Sequence, residues 1–113
     1  MWRSDRRRLW KRRFAPLPDG PRNRRRRCVL VPPFTFFSTV SSITRLGAIP
    51  IFIDIDPESC LMDVRKVSAL LEERCRPHPD GHGLIESKSQ SRIKVILPVH
   101  LFGQSCSMAP LVA

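Results

Sequence analysis

Residues 29–56 constrain the fold of this 113-residue chain more than any other stretch. Val29, Leu30 and Val31 form a short apolar run that Pro32 and Pro33 stop. An unbroken run of this kind suits a strand covered on both faces. Thr35 is placed to cap a helix beginning at Phe36. Phe36, Val40, Ile43 and Gly47 recur three or four apart, so one side of that helix is apolar or flat. Gly47 can take the left-handed conformation that ends a helix. Ile51, Phe52 and Ile53 then supply a second strand. Two strands joined by one helix make a βαβ unit, which is parallel and right-handed. The loop 32–36 thereby falls at a strand's carboxyl end and a helix N-terminus, where open α/β sheets bind ligands.

The remainder extends this α/β pattern. Asp63 can cap a helix whose apolar stripe is Val64, Val67, Leu70 and Leu71. Residues 74–91 read as a loop, punctuated by Pro77, Pro79, Gly81 and Gly83 and closed by a polar run. Cys75, His78, Asp80 and His82 fall there, but their spacing fits no tight metal site. Ile93–Val99 gives a third strand, interrupted by Lys94 and edged by Pro98. His100, Gly103 and Gln104 follow in another loop at a strand's carboxyl end. The expected architecture is a partial parallel-sheet βαβαβ unit. Cys28, Cys60, Cys75 and Cys106 show no close pairing, which suits reduced thiols in a cytoplasmic protein. No apolar run approaches the roughly 20 residues of a membrane span.

Three blocks carry a family resemblance. They are Pro32-Pro33-Phe34-Thr35-Phe36-Phe37-Ser38-Thr39, then Leu46-Gly47-Ala48 with Phe52-Ile53-Asp54-Ile55-Asp56-Pro57, then Ile96-Leu97-Pro98-Val99-His100-Leu101-Phe102-Gly103-Gln104. In this order and spacing, over residues 29–110, they resemble the DegT/DnrJ/StrS family of pyridoxal-phosphate-dependent sugar aminotransferases. The resemblance implies part of the large domain of a fold-type I aminotransferase, with the first strand between the other two. The parent enzyme would be a homodimer moving an amino group, from a donor such as glutamate, to a keto group on a nucleotide-linked sugar. Phe36 would occupy the position whose ring stacks on pyridoxal phosphate; the alternative is a core residue like Phe34 and Phe37. Thr35, His100 and Gln104 would lie in loops at the active-site edge, with Thr35 structural. The pair Asp54 and Asp56 would end a strand and begin a turn. Residues 74–91 would be a surface insertion, and Cys106-Ser107-Met108 departs from the family's usual small residue, acid and Met.

The resemblance also implies what is missing. None of Lys11, Lys66, Lys88 and Lys94 stands in a context like the family's Schiff-base lysine. The carboxylate that pairs the pyridinium nitrogen also belongs to a later strand. A fragment inactive alone is therefore expected. With three strands to cover, two helices and an open sheet edge, it should also be marginally stable.

The formal charge of +10 is confined to residues 1–27, which hold eleven Arg and Lys11 against Asp5 and Asp19. Residues 28–113 balance eight basic against eight acidic groups. Self-repulsion and Pro16, Pro18, Gly20 and Pro21 make this arm disordered by composition. Three readings stay open for it: a tail without a partner, a misread frame or start, or an arm for nucleic acid or another polyanion. The last would make the chain a small basic binding protein. Under that reading DNA binding is salt-sensitive, indifferent to base sequence, and lost on removing residues 1–27. Sequence-selective binding retained by residues 28–113, measured by a fluorescence-anisotropy salt titration, would place the interface on the body instead.

Overall fold

A computed structural model describes residues 27–112 of the chain. The elements are β1 (Arg27–Val31), α1 (Phe37–Arg45), β2 (Ile49–Phe52), α2 (Val64–Glu73), β3 (Cys75–Pro77), β4 (Leu84–Glu86), β5 (Ser91–Ile96) and α3 (Ala109–Val112). The strands form one mixed sheet in the order β2-β1-β5-β4-β3. β1 lies between β2 and β5 and is parallel to both. The fold is α/β, with the first strand between the other two parallel strands. The basic arm lies outside the described residues, apart from Arg27, which begins β1.

β1 alternates between two cores. Cys28 and Leu30 pack with Ile53, Leu61, Met62 and with Val67 and Leu70 of α2. Val29 and Val31 pack on the other face with Ile43 of α1, Ala48, Val95 and Leu97. This is the period of two that a strand imposes, and it puts the crossover helices on opposite faces. Leu30 and Val31 are fully buried, each contributing on the order of 1.5–3 kcal/mol. The register shifts between β1 and β5: Cys28 faces Ile93 but Val29 faces Val95. Lys94 is thus the extra residue of a bulge.

The helix ends follow their sequence signals unequally. At the C-terminus of α1, Gly47 takes φ 72. Its N–H donates to the Thr44 carbonyl at 2.9 Å, and the Ala48 N–H to that of Ile43 at 3.2 Å. These are the paired bonds of a Schellman motif. The Asp63 carboxylate caps α2, accepting the Arg65 N–H at 2.9 Å. The expected Thr35 cap of α1 is not formed. Phe36 is the N-cap residue, without a side-chain cap bond, and the Thr35 hydroxyl bonds that of Thr39 at 3.1 Å.

Residues 74–91 also depart from expectation. β3 and β4 form an antiparallel hairpin, Cys75 opposite Glu86 and Pro77 opposite Leu84. Its turn is closed by the His78 N–H on the Gly83 carbonyl at 2.9 Å. β4 joins the sheet through Ile85 opposite Arg92 and Glu86 opposite Ser91. The stretch is therefore an extension of the sheet, and it covers the amino end of an edge expected to be open. Asp80 organises the tip: Oδ1 accepts the His82 N–H at 2.8 Å and lies 2.6 Å from His78 Nδ1, while Arg92 binds Oδ2. Among the described residues no cluster of three or more His, Cys, Asp or Glu could hold a metal ion. β2, which contains Pro50, pairs only with β1 among the described residues, and proline is tolerated on such an edge.

A buried carboxylate ties α2 to the hairpin. The Glu86 side chain is 1% exposed, and Arg74, the C-cap of α2, donates to Oε1 at 2.7 Å. Oε2 accepts the Ser89 N–H at 2.7 Å. Burial pushes the Glu86 carboxyl up, but bonds from Ser89 and Lys88 and the Arg74 guanidinium more than reverse this and bring it to about 2. A carboxyl depressed on folding stabilises the native state above its unfolded value, about 4.5, and that contribution is lost as pH falls toward 2. Glu86→Gln should lower stability at pH 7 by roughly 2–4 kcal/mol and flatten the acid limb of the urea midpoint between pH 5 and 2. An unchanged acid limb in the variant would show that Glu86 does not carry it.

Candidate active site at the carboxyl edge of the sheet

β1 and β2 are neighbours whose following segments pack on opposite faces, α1 with the Val31 core and α2 with the Leu30 core. Such a divergence opens a crevice at the strands' carboxyl ends. Three segments line this edge: the loop between β1 and α1, the turn between β2 and α2, and the loop after β5.

The first loop presents aromatic rings. Phe36, extended at φ −70 and ψ 142, is 76% exposed, and Phe37 is 80% exposed. Phe36 thus belongs to neither core of the described residues. Phe34, half-exposed, meets Phe102 with ring centroids 6.3 Å apart and planes tilted by 42°. This contact joins the loop after β1 to the loop after β5, bringing two of the three sequence blocks together.

The loop after β5 is pinned along its length. The His100 Nδ1 accepts the Cys106 N–H at 2.9 Å, which leaves the ring proton of neutral imidazole on Nε2. Cys106 is buried, its Sγ 3.8 Å from the Met62 carbonyl, and burial pushes its thiol up. Leu101 packs on the Leu30 core. The Gln104 N–H donates to the Leu101 carbonyl at 2.9 Å, closing a turn around Phe102 and Gly103. Both central residues have positive φ, 56 and 72, as in a type I′ turn. A non-glycine residue so held costs about 1–3 kcal/mol. The Gln104 amide reaches the Ser59 carbonyl at 3.5 Å, linking this loop to the turn before α2. His100 and Gln104 lie in this loop as their place after the third strand implies, whereas the strained turn carries no sequence signal, because Phe102-Gly103 stands where Asn-Gly would mark it.

The turn before α2 is structural. Asp54 accepts Lys66 Nζ at 2.9 Å and the Ile55 N–H at 2.9 Å; the Lys66 hydrogen bond leads in holding its carboxyl below the usual range. Asp56 accepts the Glu58 N–H at 3.0 Å and the Ser59 hydroxyl at 3.3 Å. Ile55 bridges Met62. Both aspartates thus close the turn, as the sequence reading expected. The four cysteines are free thiols, and burial pushes Cys28 up to about 12 and Cys75 to about 11, so neither is an available nucleophile. None of Lys66, Lys88 and Lys94 lies in the two loops that carry the rings. Among the described residues no helix is long and apolar enough to cross a membrane.

Residues 22–113 match the sequence profile of the DegT/DnrJ/EryC1/StrS aminotransferase family. Over 83 residues the chain is 34% identical to the GDP-perosamine synthase of Caulobacter vibrioides, covering 74% of this chain and 18% of that protein. Over 80 residues it is 34% identical to the UDP-4-amino-4-deoxy-L-arabinose–oxoglutarate aminotransferase of Shewanella sediminis, covering 71% and 16%. Among solved structures, a DegT DnrJ EryC1 StrS aminotransferase from Brucella abortus superposes with a TM-score of 0.59 at 31% identity, covering 76% of this chain and 20% of that one. The chain thus spans about a fifth of the length of these proteins.

Proposed function

Because this chain belongs to the DegT/DnrJ/EryC1/StrS aminotransferase family, we propose that residues 27–112 form part of the cofactor domain of an enzyme that aminates a keto group on a nucleotide-linked sugar. The observation that carries this reading is Phe36. A large ring stands in solvent at the N-terminus of α1, on the carboxyl edge of the central strand, and takes no part in the core. That placement suits covering one face of a flat heteroaromatic ring. The group concerned is pyridoxal phosphate, which when bound supplies an electron sink for transfer of the amino group. The phosphate cradle of such an enzyme is expected before β1, and nothing in residues 1–27 matches the family's small-residue turn there.

His100 and Gln104 have supporting roles. His100 fixes the loop after β5 by accepting the Cys106 N–H at Nδ1. Gln104 ties the same loop to the turn before α2. The reactive lysine, the amino donor site and the second subunit are contributed by parts of the enzyme outside residues 27–112. The relatives' names, with a GDP sugar in one and a UDP sugar in the other, support a nucleotide-linked keto sugar as the acceptor class.

Equilibrium dialysis with 4′-deoxypyridoxine phosphate, which cannot condense with lysine, tests the stacking role apart from covalent chemistry. Phe36→Ala should weaken binding roughly three- to tenfold, the worth of one aromatic contact, and Phe36→Trp should keep it. Equal binding by wild type and Phe36→Ala would remove Phe36 from the cofactor site.

A further inference from the structure

The loop after β5 is closed by a bond that one proton can break. His100 Nδ1 accepts the Cys106 N–H at 2.9 Å, closing residues 100–106 on themselves. An imidazole nitrogen accepts only while it carries no proton, and the protonated ring is a donor at both nitrogens. A protonated Nδ1 and the Cys106 N–H would then face each other as two donors. Inside the closed segment, Phe102 at φ 56 stores backbone strain of the same order as the net worth of a hydrogen bond. The other ties of the turn are lighter. The Gln104 N–H bonds the Leu101 carbonyl within the turn itself, and the Gln104 amide reaches the Ser59 carbonyl only at 3.5 Å. Leu101 and the buried Cys106 anchor the two sides in the Leu30 core, so release frees the turn between them rather than the whole loop.

Few charges compete for the ring. His100 and Cys106 are the titratable groups of residues 97–112, and residues 32–36 of the facing loop hold none. Burial pushes the Cys106 thiol up, so it stays uncharged. On the turn before α2, Lys66 engages Asp54 and Arg65 engages Asp63. Asp56 accepts the Glu58 N–H and the Ser59 hydroxyl, and Glu58 and Cys60 complete that turn's titratable groups. On β5, Arg92 holds Asp80 of the hairpin tip, and Lys94 lies in the bulge. Glu72, Glu73 and Arg74 stand at the far end of α2.

We propose that His100 is a pH-operated latch on the loop after β5: the neutral ring holds the Cys106 N–H, and a solvent proton at Nδ1 releases it and frees the Phe102 turn. The sign follows from the acceptor role. The loop is closed on the alkaline side of the range in which histidine changes charge and opens on the acid side. Opening lets Phe102 leave positive φ and its contact with Phe34. The latch acts whichever ligand this edge of the sheet takes, so it does not depend on the aminotransferase reading.

The test is amide exchange of the full chain, followed by NMR between about pH 8 and pH 5, where histidine changes charge. The Leu97 N–H, bonded to the Leu30 carbonyl at 2.8 Å, is the reference inside the sheet. The ratio of the Cys106 to the Leu97 exchange rate removes the pH dependence of exchange itself. That ratio should rise roughly fivefold from the alkaline to the acid end, the worth of one hydrogen bond. In His100→Asn, whose Oδ1 can accept in place of Nδ1 at every pH, the ratio should stay low and flat. In His100→Phe it should stand at the open-loop value throughout. A wild-type ratio that does not change overturns the proposal, and so does an equal rise in His100→Asn. Acid unfolding that frees both amides together leaves no rise specific to Cys106 and overturns it as well.

Discussion

The two-sided burial of β1 is the constraint from which the rest of the fold follows. Cys28 and Leu30 must be covered on one face of the sheet, Val29 and Val31 on the other. A strand in that position needs a neighbour on each edge and a helix over each face. β2 and β5 supply the edges, and α1 and α2 the faces. A right-handed crossover reaches opposite faces only by running in opposite directions, so the divergence of loops beside β1 is a consequence of its burial. The bulge at Lys94 belongs to the same demand. Without it, Ile93 and Val95 would point to one face; with it, Ile93 serves the α2 core and Val95 the α1 core.

Much of this was legible in the sequence because it repeats. The β1 run, the α2 stripe and the Gly47 stop each carry several residues' worth of signal, and each stands as read. The hairpin was not legible. β3 and β4 have three residues apiece, too few for a period of two to show, and their turn residues Pro77, Gly81 and Gly83 are those of any loop. What holds them is non-local: the Arg74–Glu86 pair and the backbone pairing to Ser91 and Arg92. Thr35 shows another limit. A hydroxyl before a helix is a cap candidate by composition, yet one residue's shift in the helix start sends it to Thr39 instead. At the site, the loops were read from residue blocks, whereas the Phe34–Phe102 contact and the strained turn depend on the meeting of segments 68 residues apart by number.

The two ends of the strands have different physical characters. At the amino edge several polar groups are engaged, although Arg74 Nε and Ser89 Oγ are buried without a hydrogen-bond partner: the Schellman bonds close α1, Glu86 binds Arg74 and Ser89, and the Cys28 thiol sits 3.6 Å from the Ser91 carbonyl. At the carboxyl edge the same chain leaves three phenylalanine rings largely in water, Phe36, Phe37 and Phe102. It also leaves a bulky side chain at positive φ and a helix start without a side-chain cap. The contrast lies within the carboxyl edge too. Both crossover helices begin there, but α2 is closed by the Asp63 carboxylate. Burial pushes that carboxyl up, and the Arg65 N–H and guanidinium more than offset it, so it stays below the usual range and charged. The α1 terminus keeps its dipole uncompensated beside Phe36. The two helix starts on this edge therefore differ in charge, and the one without a carboxylate is the one next to the exposed rings.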